Sequence, residues 1–315
     1  MKAVLVTGAG GFVGRNLVAA LDEAGIEAVG VDVRPAPEGS RGGHLVADFA
    51  ASQVLEQVRA GRFAAVLHQA AITSTLADDW DELQRVNIDG CLALAEACAA
   101  SDTLLVYASS SSVYGTIRQP VPVGEDDVDD PALCSGPLNL YGRSKLAFDR
   151  IMLEKAPDGL RWAGLRYTNV FGSGEQDKGS MASILSQLLR TAARREAPRL
   201  FADTLEASRD YVPVRWLADV VLRIIDRGVP SGVYNLGSGR PVTFATLLRW
   251  CADFGGGEEL RVRLVPNPIA DRYQYWTCAD MTRLTGALDL DGLTQEQVRA
   301  AAERLYADFR AAAVA

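Results

Sequence analysis

The chain has 315 residues, 48% of them apolar, and carries a formal charge of −8 with a pI near 5.0. It is long enough for a full core in one large domain or two modest ones. The acidic balance weighs against a nucleic acid or an anionic membrane as partner, because either is normally met by a basic surface, whereas an anionic small molecule needs only a local cationic cluster. The five cysteines, Cys91, Cys98, Cys134, Cys251 and Cys278, include no pair spaced as a metal knuckle or a redox couple. They read as reduced thiols of a cytoplasmic protein. The first apolar run is short for a signal peptide, and no stretch approaches the length of a membrane span.

In chain order, "AVLVT" at 3–7 reads as a strand, "TGAGGFVG" as a tight turn, "RNLVAALDEAG" as a helix and "EAVGVDV" as a second strand. Strand, turn, helix, strand is the unit that builds a parallel sheet. The alternation continues with a strand in "FAAVLHQAA", a helix over 80–101, a strand in "TLLVYASSS", a helix in "YGRSKLAFDRIMLEKA" and a strand in "RWAGLRYTNVFG". Buried parallel strands run nearly unbroken in apolar residues, as these do. After residue 172 the rhythm changes: "GSGEQDKGS" opens a helix in "MASILSQLLRTAARRE", shorter pieces follow, and "DLDGLTQEQVRAAAERLYADFRAA" closes as a helix. Thr294 and Gln297 there have the spacing of a capping box. The acidic run "GEDDVDDP" at 124–131 reads as a solvated loop, since nothing in it spaces metal ligands rigidly.

Two clusters carry chemistry. Gly8, Gly11 and Gly14 fall at the first strand-to-helix turn, where missing side chains let the backbone approach a pyrophosphate and the helix start offers free amides. Asp32 ends the second strand, in position to accept both hydroxyls of an adenosine ribose, which favours NAD. Arg34 is placed to hold a 2′-phosphate instead, which keeps NADP open. Asp48 is either an adenine contact or a surface carboxylate. At the other cluster, "YASSSSVYG" leaves a buried strand, and "LNLYGRSK" sets Tyr141 and Lys145 one turn apart on one helix face. The pair is either an ordinary surface contact or an acid/base set in which the cation lowers the phenol's pKa.

Together with "HQAA", "RVNIDG", "LRYTNVFG", "RDYVPV" and "YNLGSGR", these motifs make the chain resemble, over nearly its whole length, the extended short-chain dehydrogenases/reductases that act on nucleotide sugars. "DKGSMAS", "PRLF" and "DRYQYWTCAD" resemble one branch, the ADP-L-glycero-D-manno-heptose 6-epimerases. The resemblance implies an α/β, Rossmann-like doubly wound parallel sheet over residues 1–172 that binds NAD or NADP. It also implies a smaller nucleotide-sugar domain, mainly 173–315, with part of 207–240 returning to the sheet. Relatives of this kind commonly form homo-oligomers, and the resemblance implies no metal.

By the same resemblance Ser110 hydrogen-bonds the reacting sugar oxygen, Tyr141 exchanges its proton, and Lys145 binds the nicotinamide ribose and helps to hold the phenol's pKa down. Lys178 is implied as a second acid/base on the opposite face of the intermediate, with a phosphate contact as the plainer alternative. Phe12, Val13, Ala70 and Asn87 join the cofactor contacts. Asn169, Ser180, Gln187, Phe201, Arg209 and Arg272 are implied as contacts to the sugar nucleotide, the guanidinium forks suiting a diphosphate. Asp177 and Gln187 stand where the heptose branch typically has histidine, and Trp216 stands where the family commonly has aspartate. The expected reaction is epimerisation by transient oxidation, with hydride returned to the opposite face. A 4-epimerase of a nucleotide hexose and a dehydrogenase with exchangeable cofactor are the alternatives.

Overall fold

In the computed structural model the chain is described at residues 2–36, 42–257, 260–270 and 273–314, without the side chains of Ser180 and Val314. Seven parallel strands form the central sheet: β1 (Ala3–Thr7), β2 (Ala28–Asp32), β3 (Gly43–Val46), β4 (Phe63–His68), β5 (Leu104–Ser110), β6 (Trp162–Tyr167) and β10 (Gly232–Leu236). Their spatial order is β10-β6-β5-β4-β1-β2-β3. The chain therefore winds outward from β1 to β3 and then crosses back to β4 on the other side of β1. That reversal opens a crevice at the carboxyl ends of β1 and β4, where open α/β sheets bind ligands.

Helices cover both faces, as the apolar runs of the strands require. On one face α1 (Phe12–Glu23), α7 (Val214–Arg227) and α9 (Thr282–Leu288) share a core with Val4, Val6, Leu67 and Val106, and that core runs on into α6 (Ile184–Ala193), α8 (Phe244–Phe254) and α10 (Gln295–Val314), which pack on one another. On the other, α2 (Ser52–Arg59), α4 (Gly90–Ala99) and α5 (Leu140–Lys155) close over Leu5, Val66, Leu105 and Tyr107. The architecture is the Rossmann-like α/β fold expected.

Some elements differ from the sequence reading. The helix expected over 80–101 is α3 (Trp80–Gln84), a π-helical turn (Arg85–Asp89) and α4 in succession. The run "RWAGLRYTNVFG" divides at Thr168: β6 ends there, and β7 (Asn169–Phe171) leaves to join β9 (Ser208–Pro213) and β11 (Pro241–Thr243) in a second sheet. A short pair, β8 (Arg199–Phe201) with β12 (Arg263–Val265), completes the strands. β3 gave no apolar signal because its "GHLV" is a half-exposed sheet edge. β10 pairs with β6, and α7 packs on α1. The acidic run is not wholly solvated: Glu125 is buried, accepts from the Asn235 amide at 2.7 Å and faces Arg283 at 3.3 Å. The capping box forms as expected, with Thr294 N donating to Gln297 Oε1 at 2.8 Å and Gln297 N to Thr294 Oγ1 at 3.2 Å.

Candidate active site

The nucleotide turn lies at the crevice. Gly8 has φ +66°, and a Cβ there would stand 2.7 Å from Ala70 N; a Cβ on Gly14 would stand 2.1 Å from Gly8 O. Both glycines are thus demanded by close backbone approach, and α1 begins at Gly11 without a side-chain cap, leaving its first amides free. Phe12 and Val13 form its first turn. Asp32 is buried, accepts from Gly10 N at 2.9 Å, and faces Arg34 Nε at 3.3 Å. A cradle that a Cβ would fill, a helix start with free amides and a carboxylate at the end of β2 suit a dinucleotide and its ribose. Asp48 is exposed at the start of α2 and accepts from Ala50 N at 2.9 Å.

The turn is braced from β4. Thr7 Oγ1 accepts from the amides of Gln69 and Ala70 at 3.2 and 3.3 Å and lies 2.7 Å from His68 Nδ1. With both lone pairs of Thr7 used, its hydroxyl proton points at Nδ1. Nε2 of His68 then carries the ring proton and donates to Cys91 Sγ at 3.0 Å. Burial holds His68 neutral, its pKa pulled down to about 3, with Lys145 adding to the fall. Asn87 spends its buried amide on protein partners, accepting from Ile72 N at 2.9 Å and donating to Ile72 O and Ser144 Oγ at 3.0 Å. It thereby fixes the loop after β4 against α5.

Ser110, Tyr141 and Lys145 meet at the ends of β5 and α5. Ser110 ends β5 opposite Tyr167, and its Oγ accepts from Ser112 N at 3.1 Å. Asn139 caps α5 by accepting from Gly142 N at 2.8 Å, which starts the helix so that Tyr141 and Lys145 share the face toward the sheet. Lys145 is buried and donates to Ala108 O at 2.9 Å, with Nζ 6.0 Å from the centre of the Tyr141 ring. Burial raises the Tyr141 phenol above its ordinary pKa, a hydrogen bond from Ser110 opposes the rise, and Asp149 adds to it. Burial lowers Lys145, while Cys91 and Asp149 oppose that shift. In the protein alone, then, desolvation sets the direction of the shift. Beside this set a cavity of about 470 Å³ opens between residues 75–78 and 137–140, with Arg143.

Lys178 lies in the 3₁₀ segment Glu175–Met181, and its Nζ stands 5.8 Å from the centre of the Phe12 ring. Ser180 belongs to the same segment; its side chain, and all of Arg272, lie outside the described residues. Gln187 Nε2 donates to Ala182 O at 2.7 Å, and Asn169 Nδ2 to Asp210 O at 3.3 Å. Phe201 packs edge to face with Tyr273, ring centres 5.9 Å apart. Arg209 is 8% exposed, with its guanidinium carbon 5.6 Å from the Phe244 ring centre and 5.1 Å from that of Tyr273. Among the described residues it has no carboxylate partner, and burial lowers its pKa. A desolvated cation of this kind is completed by an anion.

Sequence reasoning missed two supports. Asp210, fully buried, accepts from Ser238 N, Ser238 Oγ, Gly239 N and Ala279 N at 2.6 to 3.1 Å, with burial raising its pKa. It locks Arg209 against the loop after β10, and "RDYV" beside "LGSG" was the available signal. Asp149 and Arg166 form a buried pair beneath Ser110. Among the described residues Gln69 Nε2, Ser112 Oγ and Thr168 Oγ1 are buried without partners at the ends of β4, β5 and β6. Unpaired buried polar atoms along a ligand-binding edge are what a bound molecule satisfies.

A doubly wound sheet with a glycine turn at its switch point and a serine, tyrosine and lysine on the same edge defines a dinucleotide-dependent α/β enzyme. A family model described as "NAD dependent epimerase/dehydratase family" matches residues 4–237, and the chain belongs to that family. It is similar to the ADP-L-glycero-D-manno-heptose-6-epimerase of Helicobacter pylori at 25% identity, covering 98% of this chain and 96% of that one, with a TM-score of 0.83. It is similar to MoeE5, solved with UDP-glucose and NAD, at 27% identity over 99% and 100% of the two chains, TM-score 0.80. It also resembles the UDP-glucose 4-epimerase of Thermus thermophilus, solved with NAD, at 25% identity over 98% and 99%, TM-score 0.78. The protein is an NAD-using enzyme of the nucleotide-sugar epimerase class. Among the described residues no helix is long and apolar enough to cross a membrane, and no group of three or more His, Cys, Asp or Glu side chains is arranged to hold a metal.

Proposed function

We propose that the enzyme is a 6-epimerase of a nucleotide-activated heptose, working by transient oxidation and return of hydride to the opposite face. What supports the reading is a second candidate proton carrier: besides Tyr141 on α5, Lys178 stands in the segment after β7, over the Phe12 ring at the start of α1. Two carriers let an epimerase serve each face of its carbonyl intermediate separately, whereas a one-way dehydrogenase needs one.

Gly8, Gly11 and Gly14 hold the pyrophosphate of NAD against the start of α1, Asp32 takes the adenosine ribose, and Lys145 the nicotinamide ribose. When bound, NAD supplies a hydride acceptor that is also the later donor, and a positive ring near Tyr141. Ser110 donates a hydrogen bond to the reacting sugar oxygen. Tyr141 takes the proton of that oxygen in one half-reaction, and Lys178 protonates it from the other side in the next. Burial raises the phenol's pKa in the protein alone, and a cationic ring held by these residues would oppose it. Arg209 clamps the diphosphate, its aromatic walls keeping water from the charge pair. The free, buried thiols suit a reducing cytoplasm.

A second reading, a nucleotide-hexose 4-epimerase, is favoured by Asp177 and Gln187, which depart from the heptose pattern, and by similarity to the Thermus enzyme. Incubating the purified protein with ADP-D-glycero-D-manno-heptose and no added cofactor separates them. Formation of the C-6 epimer without net change in nicotinamide absorbance supports the first reading. Turnover of UDP-glucose alone supports the second, and stoichiometric reduction of added NAD a dehydrogenase.

A further inference from the structure

The segment that carries Lys178 is tied to the nucleotide turn by side chains that no part of the chemistry uses. Arg15, in the first turns of α1, donates from Nη1 to Asp177 Oδ2 at 2.7 Å and from Nη2 to Gly10 O at 3.1 Å. Asn16 Nδ2 donates both to Phe12 O at 2.8 Å and to Ser173 O at 3.0 Å. A Cβ on Gly174, where φ is +89°, would stand 3.0 Å from Arg15 Cδ, so the segment lies directly on that side chain. Lys178 then reaches the Phe12 ring. Every one of these contacts lands on the helix start whose amides receive the pyrophosphate. The segment carries three glycines at positive φ, Gly172 at +147°, Gly174 at +89° and Gly179 at +57°, conformations that other residues rarely adopt.

We propose that Arg15 is a positioning residue: its bridge from the nucleotide turn to Asp177 straps residues 173–178 over the pyrophosphate site, which slows the escape of NAD and sets Lys178 at the cleft. An enzyme that must return the hydride it has taken gains from such a strap, since loss of cofactor between half-reactions strands the oxidised sugar. The retention claim rests only on NAD use; the claim for Lys178 rests on the epimerase reading.

The side chains of Arg15 and Asp177 are 29% and 56% exposed, so the ion pair is a partly solvated one of modest strength. The test is the rate at which NAD leaves the protein after dilution, measured without any sugar. Arg15→Ala and Asp177→Asn are each expected to speed release about five-fold at low salt, and Arg15→Ala with Asp177→Asn together no more than either alone. The exchange Arg15→Asp with Asp177→Arg is expected to recover part of the loss. At about 1 M salt, where screening acts over roughly 3 Å, wild-type release should rise toward that of the variants while theirs stays put. Release within twofold of wild type in Asp177→Asn overturns the proposal, as does a rise in Arg15→Ala that Asp177→Asn does not share. Asp177 is exposed, so its replacement leaves the core intact and keeps the test decisive even where Arg15→Ala folds poorly. Failure of the epimerase reading would show separately, as wild-type protein that retains NAD but forms no epimer.

Discussion

Asp149 accepts a hydrogen bond from Arg166 Nε at 2.8 Å, with both side chains at most 1% exposed, and the pair joins the helix of Tyr141 and Lys145 to the strand beside Ser110. Asp149 also accepts from Tyr107 Oη and Ser109 Oγ, while Arg166 Nη1 donates to Tyr114 Oη and to Glu125 O. Removing one partner strands the other charge without water. Asp149→Ala should therefore cost about 3–5 kcal/mol in urea unfolding, and Asp149→Leu with Arg166→Met clearly less than the sum of the two single changes. Additive losses would mean that the two charges are not coupled.

Arg209 invites the opposite result for stability. Among the described residues no carboxylate pairs with it, and it donates from Nη1 to Ser208 O at 3.0 Å, so the folded protein holds a desolvated cation that a bound anion would relieve. Arg209→Met is expected to raise KM for the nucleotide sugar by about a hundredfold, on the order of 3 kcal/mol, while thermal stability holds or rises and NAD affinity is unchanged. A fall in stability with unaltered KM would make Arg209 a structural residue.

How much of this was legible in the sequence depended on whether a feature was local. The strands β1, β2, β4, β5 and β6 announced themselves as apolar runs, and the glycine turn and the Tyr141–Lys145 spacing are patterns of near neighbours. β3 escaped because an edge strand need not be apolar. The departure of β7 at Thr168 escaped because one continuous apolar run serves two sheets. The partners of Asp149 and Asp210 lie far along the chain, as with Asp210 and Ala279, and no spacing rule reaches them. Burial depth is illegible for a related reason: sequence gives the neighbouring cation but not the desolvation that raises the phenol in the protein without cofactor.

His68 makes stability depend on pH. Its pKa falls from 6.5 to about 3 on folding because burial, and after it the nearby Lys145 cation, disfavour the charged ring. A depressed folded pKa stabilises the protein above the unfolded value, and that contribution is lost as pH falls from 6.5 toward 3. Between pH 7 and pH 5 the loss should be roughly 2 kcal/mol, at about 1.4 kcal/mol per unit below 6.5. The only other histidine, His44, lies near the surface. Urea midpoints at the two pH values should thus converge in His68→Gln, whatever its lower absolute stability. An equally steep acid limb in that variant would assign the sensitivity to the carboxylates.

Gly14 sets helix propensity against close approach. Within a helix, alanine is favoured over glycine by about 1 kcal/mol, so Gly14→Ala on propensity alone would stabilise α1. The added Cβ, however, would lie 2.1 Å from Gly8 O and 2.8 Å from Gly8 C, and that carbonyl already accepts from Gly11 N at 2.9 Å. Backbone cannot rotate away as a side chain would, so the turn must open and withdraw its amides from the pyrophosphate. The clash should outweigh the propensity gain, with NAD binding weakened at least about thirtyfold and the protein isolated largely free of cofactor. At Gly11 a Cβ would meet only Gly8 O, at 3.1 Å, a contact that a few tenths of an ångström relieve. Gly11→Ala should therefore leave the turn closed and weaken NAD binding less than Gly14→Ala does, through the methyl group it sets beside the pyrophosphate. Isothermal titration of both variants after cofactor removal checks the order, and equal affinities would show that the turn yields where its geometry says it cannot.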